Sequence, residues 1–132
     1  MSTAVLRVQG VALDIDQCLS SLPASLIEHT WRIGEPRPGG KTSASSGFTV
    51  LLSDSDDTAR VVEEVTSRLQ ALSSRIIALR KAGAAAAVDI ALYVTATALQ
   101  SIEIGPPLLA MLADSGVSLR VSAYPTRDDV EQ

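Results

Sequence analysis

Disulfides, a large aromatic core and a basic surface are all missing from this 132-residue sequence. Cys18 is the one cysteine, so the chain forms no internal disulfide, which is typical of a reducing compartment and predicts a cytoplasmic protein. One Trp, one Phe and two Tyr leave the core to aliphatic side chains. The net charge of -4 and the scattering of the eleven basic residues argue against a nucleic-acid partner, which requires clustered Lys and Arg.

Long apolar runs are missing as well. Residues 83–99 come nearest, but Asp89 lies among weakly hydrophobic Ala residues, and a carboxylate there costs about 2.5–3.5 kcal/mol in a bilayer. Arg7, Asp14 and Asp16 interrupt the N-terminal segment, which does not have the pattern of a signal peptide. We therefore expect no membrane association. The balance of 46% hydrophobic and 20% charged residues predicts a single globular domain over residues 1–132.

Alternating apolar residues predict strands at 4–9, 27–33, 48–52, 88–95 and 117–124. In the second of these, period two places four residues on one face, namely Ile27, His29, Trp31 and Ile33. Asp14 is the expected cap of a short helix that ends at Leu22, before Pro23. A later helix is predicted between Pro106 and Gly116.

An apolar stripe at alternating steps of three and four predicts a long helix between residues 57 and 82. Its members are Val62, Val65, Leu69, Leu72, Ile76 and Leu79. Asp56, Asp57 or Thr58 is expected to cap its start. Glu64 and Arg68 have the order and spacing of an ion pair on one helix face. The stripe spans only about three heptads, so we expect it to cover a sheet rather than to form a coiled coil.

The order of these elements is β-α-β-β-α-β followed by a further α-β unit. It predicts an α+β fold of the ferredoxin-like split type with an added C-terminal αβ unit, the helices lying on one face of a mainly antiparallel sheet. The position of the last strand stays open. The Gly-, Pro- and Ser-rich segment 34–47 is a predicted mobile loop, and 125–132 a predicted frayed tail.

Two short motifs suggest chemistry without completing a site. Gly40-Lys41-Thr42 is similar to the end of a phosphate-binding P-loop, but Glu35 stands where that loop requires Gly, and a strand rather than a helix follows. Cys18 and His29 have the side chains of a nucleophile and a base, but their patterns predict that both face the core.

An acidic run at Asp54, Asp56 and Asp57 is the remaining candidate for a cation site. It lacks the glycine turn and the distal Glu of a calcium loop, and helix capping explains it without a ligand. Cys18 and His29 cannot supply the four ligands of a structural zinc site. We therefore expect no catalytic residue, no metal site and no cofactor.

Two groups of polar and aromatic residues remain as candidate binding surfaces. A ligand loop is predicted from Trp31, Arg32, Glu35, Arg37 and Lys41. The sheet face away from the helices is a predicted surface for a homodimer or a protein partner, because Tyr and Arg are enriched in interfaces. Its main residues are Arg7, Arg32, Asp89, Tyr93, Arg120 and Tyr124, with Gln9, Glu28 and Thr30 on the same predicted face. A solvated sheet face is the alternative interpretation.

Several short motifs give the chain a resemblance to a known family. They are Trp31-Arg32-Ile33-Gly34-Glu35-Pro36, Phe48 at the head of a strand, Ile102-Glu103-Ile104, Pro107-Leu108-Leu109, and the segment from Leu119 to Tyr124. Together they resemble the bacterial domain-of-unknown-function family number 4279 over about residues 4–125. Phe48 stands where the family has Trp. The resemblance implies a bacterial α+β domain and brings no catalytic residues.

The sequence therefore predicts a non-enzymatic binding or protein-interaction module, because no nucleophile–base pair, metal set or phosphate cradle emerges from its residues. The alternative is a small-molecule-binding protein or an enzyme, with a pocket between the sheet and the 34–47 loop. A cleft that holds Trp31, Arg32 and Glu35 together would favour this alternative.

Overall fold

The computed structural model describes residues 2–95 and 101–125. Its elements are β1 (Ser2–Gly10), α1 (Ile15–Ser20), β2 (Ile27–Trp31), β3 (Ser46–Ser55), α2 (Thr58–Lys81), β4 (Ala85–Val94), α3 (Pro106–Ser115) and β5 (Ser118–Pro125). The fold is α+β, with one mixed five-stranded sheet and three α-helices in these residues. Except for Pro125, the predicted frayed tail lies outside the described residues.

The strands lie in the order β2-β3-β1-β4-β5. The pairs β2–β3, β3–β1 and β1–β4 are antiparallel, and β4–β5 is parallel. This places the last strand, whose position the sequence left open, at the sheet edge beside β4. Both β1 and β4 are therefore interior strands, which suits their regular alternation of buried and less buried residues.

The core lies between one face of the sheet and the helices. Leu6, Val8, Phe48 and Val50 point from the sheet into a cluster that also contains α2 and α3 side chains. On α2 the buried residues are Val61, Val65, Leu69, Leu72 and Ile76. The predicted stripe is thus confirmed in its centre, while Val61 replaces Val62 at its start and Leu79 is only partly buried.

Helix ends follow the predicted capping chemistry. Asp14 caps α1 through the backbone N–H of Gln17 at 3.1 Å, and Asp57 caps α2 through that of Ala59 at 3.0 Å. Gly116 ends α3 in the left-handed conformation, with φ 67°. However, α1 ends at Ser20, two residues earlier than expected.

The ion pair expected between Glu64 and Arg68 is not formed. The Glu64 carboxylate accepts a hydrogen bond from the Ser53 hydroxyl at 2.8 Å, and the Arg68 guanidinium donates to the Leu51 carbonyl oxygen at 3.1 Å. Both partners belong to β3. Each side chain thus attaches α2 to the sheet, and the Glu64 carboxylate also lies 4.0 Å from Nε of Arg60, one turn earlier.

The prediction that 27–33 presents one apolar face is wrong. Ile27 pairs with Val50, whereas His29 pairs with Thr49, so the register of β2 shifts at Glu28. This irregularity places Ile27 on the helix side, with Val50, and turns His29 and Trp31 to the opposite face. His29 is exposed and does not face the core.

Candidate functional site

The sheet face opposite the helices, which we call the open face, carries a row of alternating charges. Arg7 and Asp89 form an ion pair with an Nη2–Oδ2 distance of 2.8 Å. Arg120 is the register partner of Asp89 on β5 and therefore lies on the same face. The row runs from β1 across β4 to β5, and it joins three of the residues that the sequence predicted as an interaction surface.

A pair of aromatic rings lies further along the same two strands. Tyr93 and Tyr124 are register partners whose rings stack with centroids 5.6 Å apart and an interplanar angle of 27°. Tyr93 is 39% exposed and Tyr124 49%. No described helix covers them, so this stack is an amphipathic patch of the kind found in protein interfaces.

Arg32 does not belong to the open face. Its guanidinium Nη2 lies 2.6 Å from Oδ1 of Asp16 on α1, on the helix side of the molecule. The hydrogen bond and the charge of Arg32 hold the pKa of the Asp16 carboxyl below its usual range. Thr30 does not belong to it either, because the register shift in β2 pairs Thr30 with Phe48 on the helix side and brings His29 and Trp31 to the open face.

Trp31 covers a glycine of the neighbouring strand. Gly47 pairs with Trp31 on one side and with Gln9 on the other. A Cβ atom at Gly47 would overlap the indole ring and would lie 2.6 Å from the Val8 carbonyl oxygen. The absence of that Cβ lets the half-buried ring lie directly on the strand. Trp31 and Arg32 thus leave β2 toward opposite sides of the sheet.

The 34–47 loop is a small hairpin with bonds of its own. The backbone N–H of Gly34 donates a hydrogen bond to the Ser43 carbonyl oxygen at 2.8 Å, and the N–H of Ser43 donates to the Glu35 carbonyl oxygen at 2.9 Å. The N–H of Arg37 donates to the Lys41 carbonyl oxygen at 2.7 Å. These bonds direct the predicted loop residues Glu35, Arg37 and Lys41 outward, where all three are exposed. The other two residues of the predicted ligand loop, Trp31 and Arg32, lie on opposite sides of the sheet.

A groove lies on the other side of the sheet, between α1 and the C-terminal half of α2. It has a volume of about 350 Å³, and sheet side chains such as Leu6, Val8 and Phe48 form its floor. Its walls are mainly apolar, with Asp14, Gln17, Ser21 and Arg75 as the polar lining residues, and no residue of the 34–47 loop lines it. We call it the α1–α2 groove. It exists because α1 has six residues against the twenty-four of α2 and so covers less of the sheet.

Cys18 and His29 do not form the nucleophile–base pair considered from the sequence. Cys18 lines the α1–α2 groove on the helix side, whereas His29 lies on the open face. Partial burial, with a smaller contribution from Asp14, raises the pKa of the Cys18 thiol. A thiol of this kind is protonated at neutral pH and is a weak nucleophile.

Among residues 2–95 and 101–125, no three His, Cys, Asp or Glu side chains are grouped in a way that could hold a metal ion. No helix in the same residues is long and apolar enough to cross a membrane. No family model matches the chain, and no curated protein or solved structure matches it. The resemblance to the domain-of-unknown-function family number 4279 stays a prediction.

The α1–α2 groove is the feature that sequence reasoning missed. Its lining residues carry no motif, since most of them are ordinary core residues by pattern. The one signal was Pro23, which limits α1 to a short helix while the stripe of α2 continues for six turns. A difference in length between two helices on one sheet leaves apolar side chains uncovered.

Proposed function

We propose that the protein is a non-enzymatic interaction module that associates with a second copy of itself through β5 and the adjoining open face. The observation that carries this proposal is the edge position of β5. Within the described residues β5 pairs only with β4, so its outer backbone N–H and C=O groups form no strand ladder. Such an edge is a ready template for another strand.

The usual protection of an edge strand is nearly missing from β5. Edge strands are usually kept from pairing with another chain by Lys side chains, by Pro within the strand or by β-bulges. Here Arg120 is the only charged residue, Pro125 comes at the end, and the register with β4 runs from Ser118 to Pro125 without a shift. Val121 is 43% exposed on this strand. An apolar residue on an unprotected edge is stabilised by burial in an interface.

The sequence of β5 is compatible with antiparallel pairing to its own copy. A two-fold axis at Val121 places Val121 opposite Val121 and Arg120 opposite Ser122, so the two Arg side chains do not face each other. Tyr124 then lies opposite Ser118. The open faces of the two copies become continuous, and their Tyr93–Tyr124 stacks flank the new pair. One strand pair buries less than the ~1,600 Å² of a standard interface, so we expect micromolar association.

We further propose that β1 to β4 with α1 and α2 form a ferredoxin-like split, to which α3 and β5 are added. The strand order β2-β3-β1-β4 with three antiparallel pairings supports this. The separation of Cys18 from His29 supports a non-enzymatic role, and the single cysteine supports a cytoplasmic location.

Changing Val121→Lys should weaken self-association at least tenfold. The substitution places two like charges opposite each other at the two-fold axis and keeps the fold, because the side chain is half exposed. We expect the dissociation constant to rise at least tenfold in sedimentation equilibrium between 5 and 500 μM. Val11→Lys is the matched control, because Val11 is 74% exposed and lies between β1 and α1.

Tyr93→Glu tests the open face separately from the edge. We expect it to weaken association less than Val121→Lys, since the tyrosine stack flanks the strand pair rather than forming it. Circular dichroism verifies that each variant is folded. A wild-type chain that remains monomeric at 500 μM would contradict self-association. If Val11→Lys weakened association as much as Val121→Lys does, β5 would not be the interface.

A further inference from the structure

The α1–α2 groove has the size and the walls of a binding site for an aliphatic chain. Most of its floor and sides come from apolar residues of β1, β3 and α2, and α1 contributes Cys18 and the polar Gln17. A dry apolar cavity of roughly 150 Å³ accommodates benzene, so 350 Å³ has room for on the order of ten to fourteen carbon atoms. Ligand sites in proteins begin at about this volume. The walls therefore fit the aliphatic chain of a ligand, and the residues at the rim select its polar head group.

The two ends of the groove differ in charge. At one end, Ala82, Gly83 and Ala84 meet the end of β1, where Ala84 packs against Gly10. Asp14 follows Gly10 by four residues, and its carboxylate caps α1. Arg75 precedes Ala82 by seven residues, which places it roughly 10 Å away along the helix axis.

Arg75 is exposed at the rim and forms no ion pair within the described residues. An acidic head is therefore attracted at the Arg75 end and repelled at the Asp14 end, while the apolar walls between them take the chain.

We propose that the α1–α2 groove binds an anionic amphiphile with an aliphatic chain of about ten carbons, its carboxylate paired with Arg75 and its chain over Leu6, Val8 and Phe48. The site lies on the helix side of the sheet, opposite the open face. It is thus separate from the self-association proposed above, and Val121→Lys should leave binding unchanged.

Decanoate, 1-decanol and decyltrimethylammonium are the probes, because they share a chain and differ in head charge. We expect isothermal titration calorimetry to give micromolar binding of decanoate and at least tenfold weaker binding of the cation. Arg75→Gln should reduce decanoate affinity at least fivefold without changing that of decanol. Lys81→Gln is the matched control, since Lys81 is exposed on the same helix outside the groove.

A steric block tests the location. Ala78→Trp places an indole in the groove from an exposed helix position, and Ala71→Trp makes the same change two turns earlier outside it. Only the first should abolish decanoate binding. In addition, decanoate should slow alkylation of Cys18 by N-ethylmaleimide at pH 8.5, because the thiol lines the groove. Absence of decanoate binding at 1 mM, or equal loss in both Trp variants, would overturn the site. Equal affinity for the anion and the cation would overturn the assigned head group.

Discussion

Leu69→Ala should lower the free energy of unfolding by about 3–5 kcal/mol. Leu69 is completely buried in the centre of α2, between the sheet and the rest of the core. Truncation there removes its apolar contacts and leaves a cavity that the long helix cannot close, since α2 is attached to β3 by Glu64 and Arg68 in the turns before it. Chemical denaturation monitored by circular dichroism gives the value directly.

Leu72→Ala should be less costly, at about 2–3 kcal/mol. Leu72 lines the α1–α2 groove, so part of its surface already faces an open space rather than packed atoms. Leu109→Ala is the surface control, since Leu109 is half exposed on α3, and it should cost less than about 0.5 kcal/mol. A loss below about 1 kcal/mol at Leu69 would mean that the α2 stripe does not cover the sheet.

Gly47→Ala should cost about 2–3 kcal/mol and should move Trp31. The added methyl group overlaps the indole ring, which can swing away, and the Val8 carbonyl, which cannot move without disturbing the β1–β3 ladder. Displacement of the ring into water shifts its emission to the red. Trp31 is the one tryptophan, so its fluorescence reports this site alone.

Gly39→Ala separates this steric effect from backbone strain. Gly39 has φ 85°, and an added methyl group would meet no atom within 4 Å, so alanine there is strained by its backbone only, at about 1 kcal/mol. Its Trp31 emission should equal that of the wild type. Unchanged emission in Gly47→Ala would contradict the packing of Trp31 on Gly47.

The part of the fold that local chemistry determines could be predicted from the sequence. The centre of the α2 stripe, a cap within residues 56–58 and the Gly116 stop depend on residues within a few positions of each other, and the structure contains them. The mixed α+β architecture follows from the order of such elements. The partners of Glu64 and Arg68 were not predictable in the same way, because they lie on β3 and become available only when α2 packs on the sheet.

The face of β2 depends on a pairing irregularity that no alternation pattern reveals. One register shift at Glu28 left Ile27 on the helix side but moved His29 to the open face, and the predicted position of Arg32 changed as well. The open face was otherwise predictable, since Arg7, Asp89, Tyr93, Arg120 and Tyr124 occupy regular positions of β1, β4 and β5. The groove was not, because it results from the relative lengths of two helices.

The edge position of β5 also affects how fast the protein aggregates during storage. β5 shields the outer side of β4, whose ten residues contain Asp89 as their one charge and no Pro or Gly. Such a segment is prone to amyloid-like stacking once its edge is bare. A brief detachment of α3 and β5 from the rest of the fold, without global unfolding, is enough to expose the edge of β4. We therefore expect the rate of irreversible loss in storage to follow the opening of this terminal unit, and cross-linking β5 to β4 to slow that loss while the melting temperature changes little.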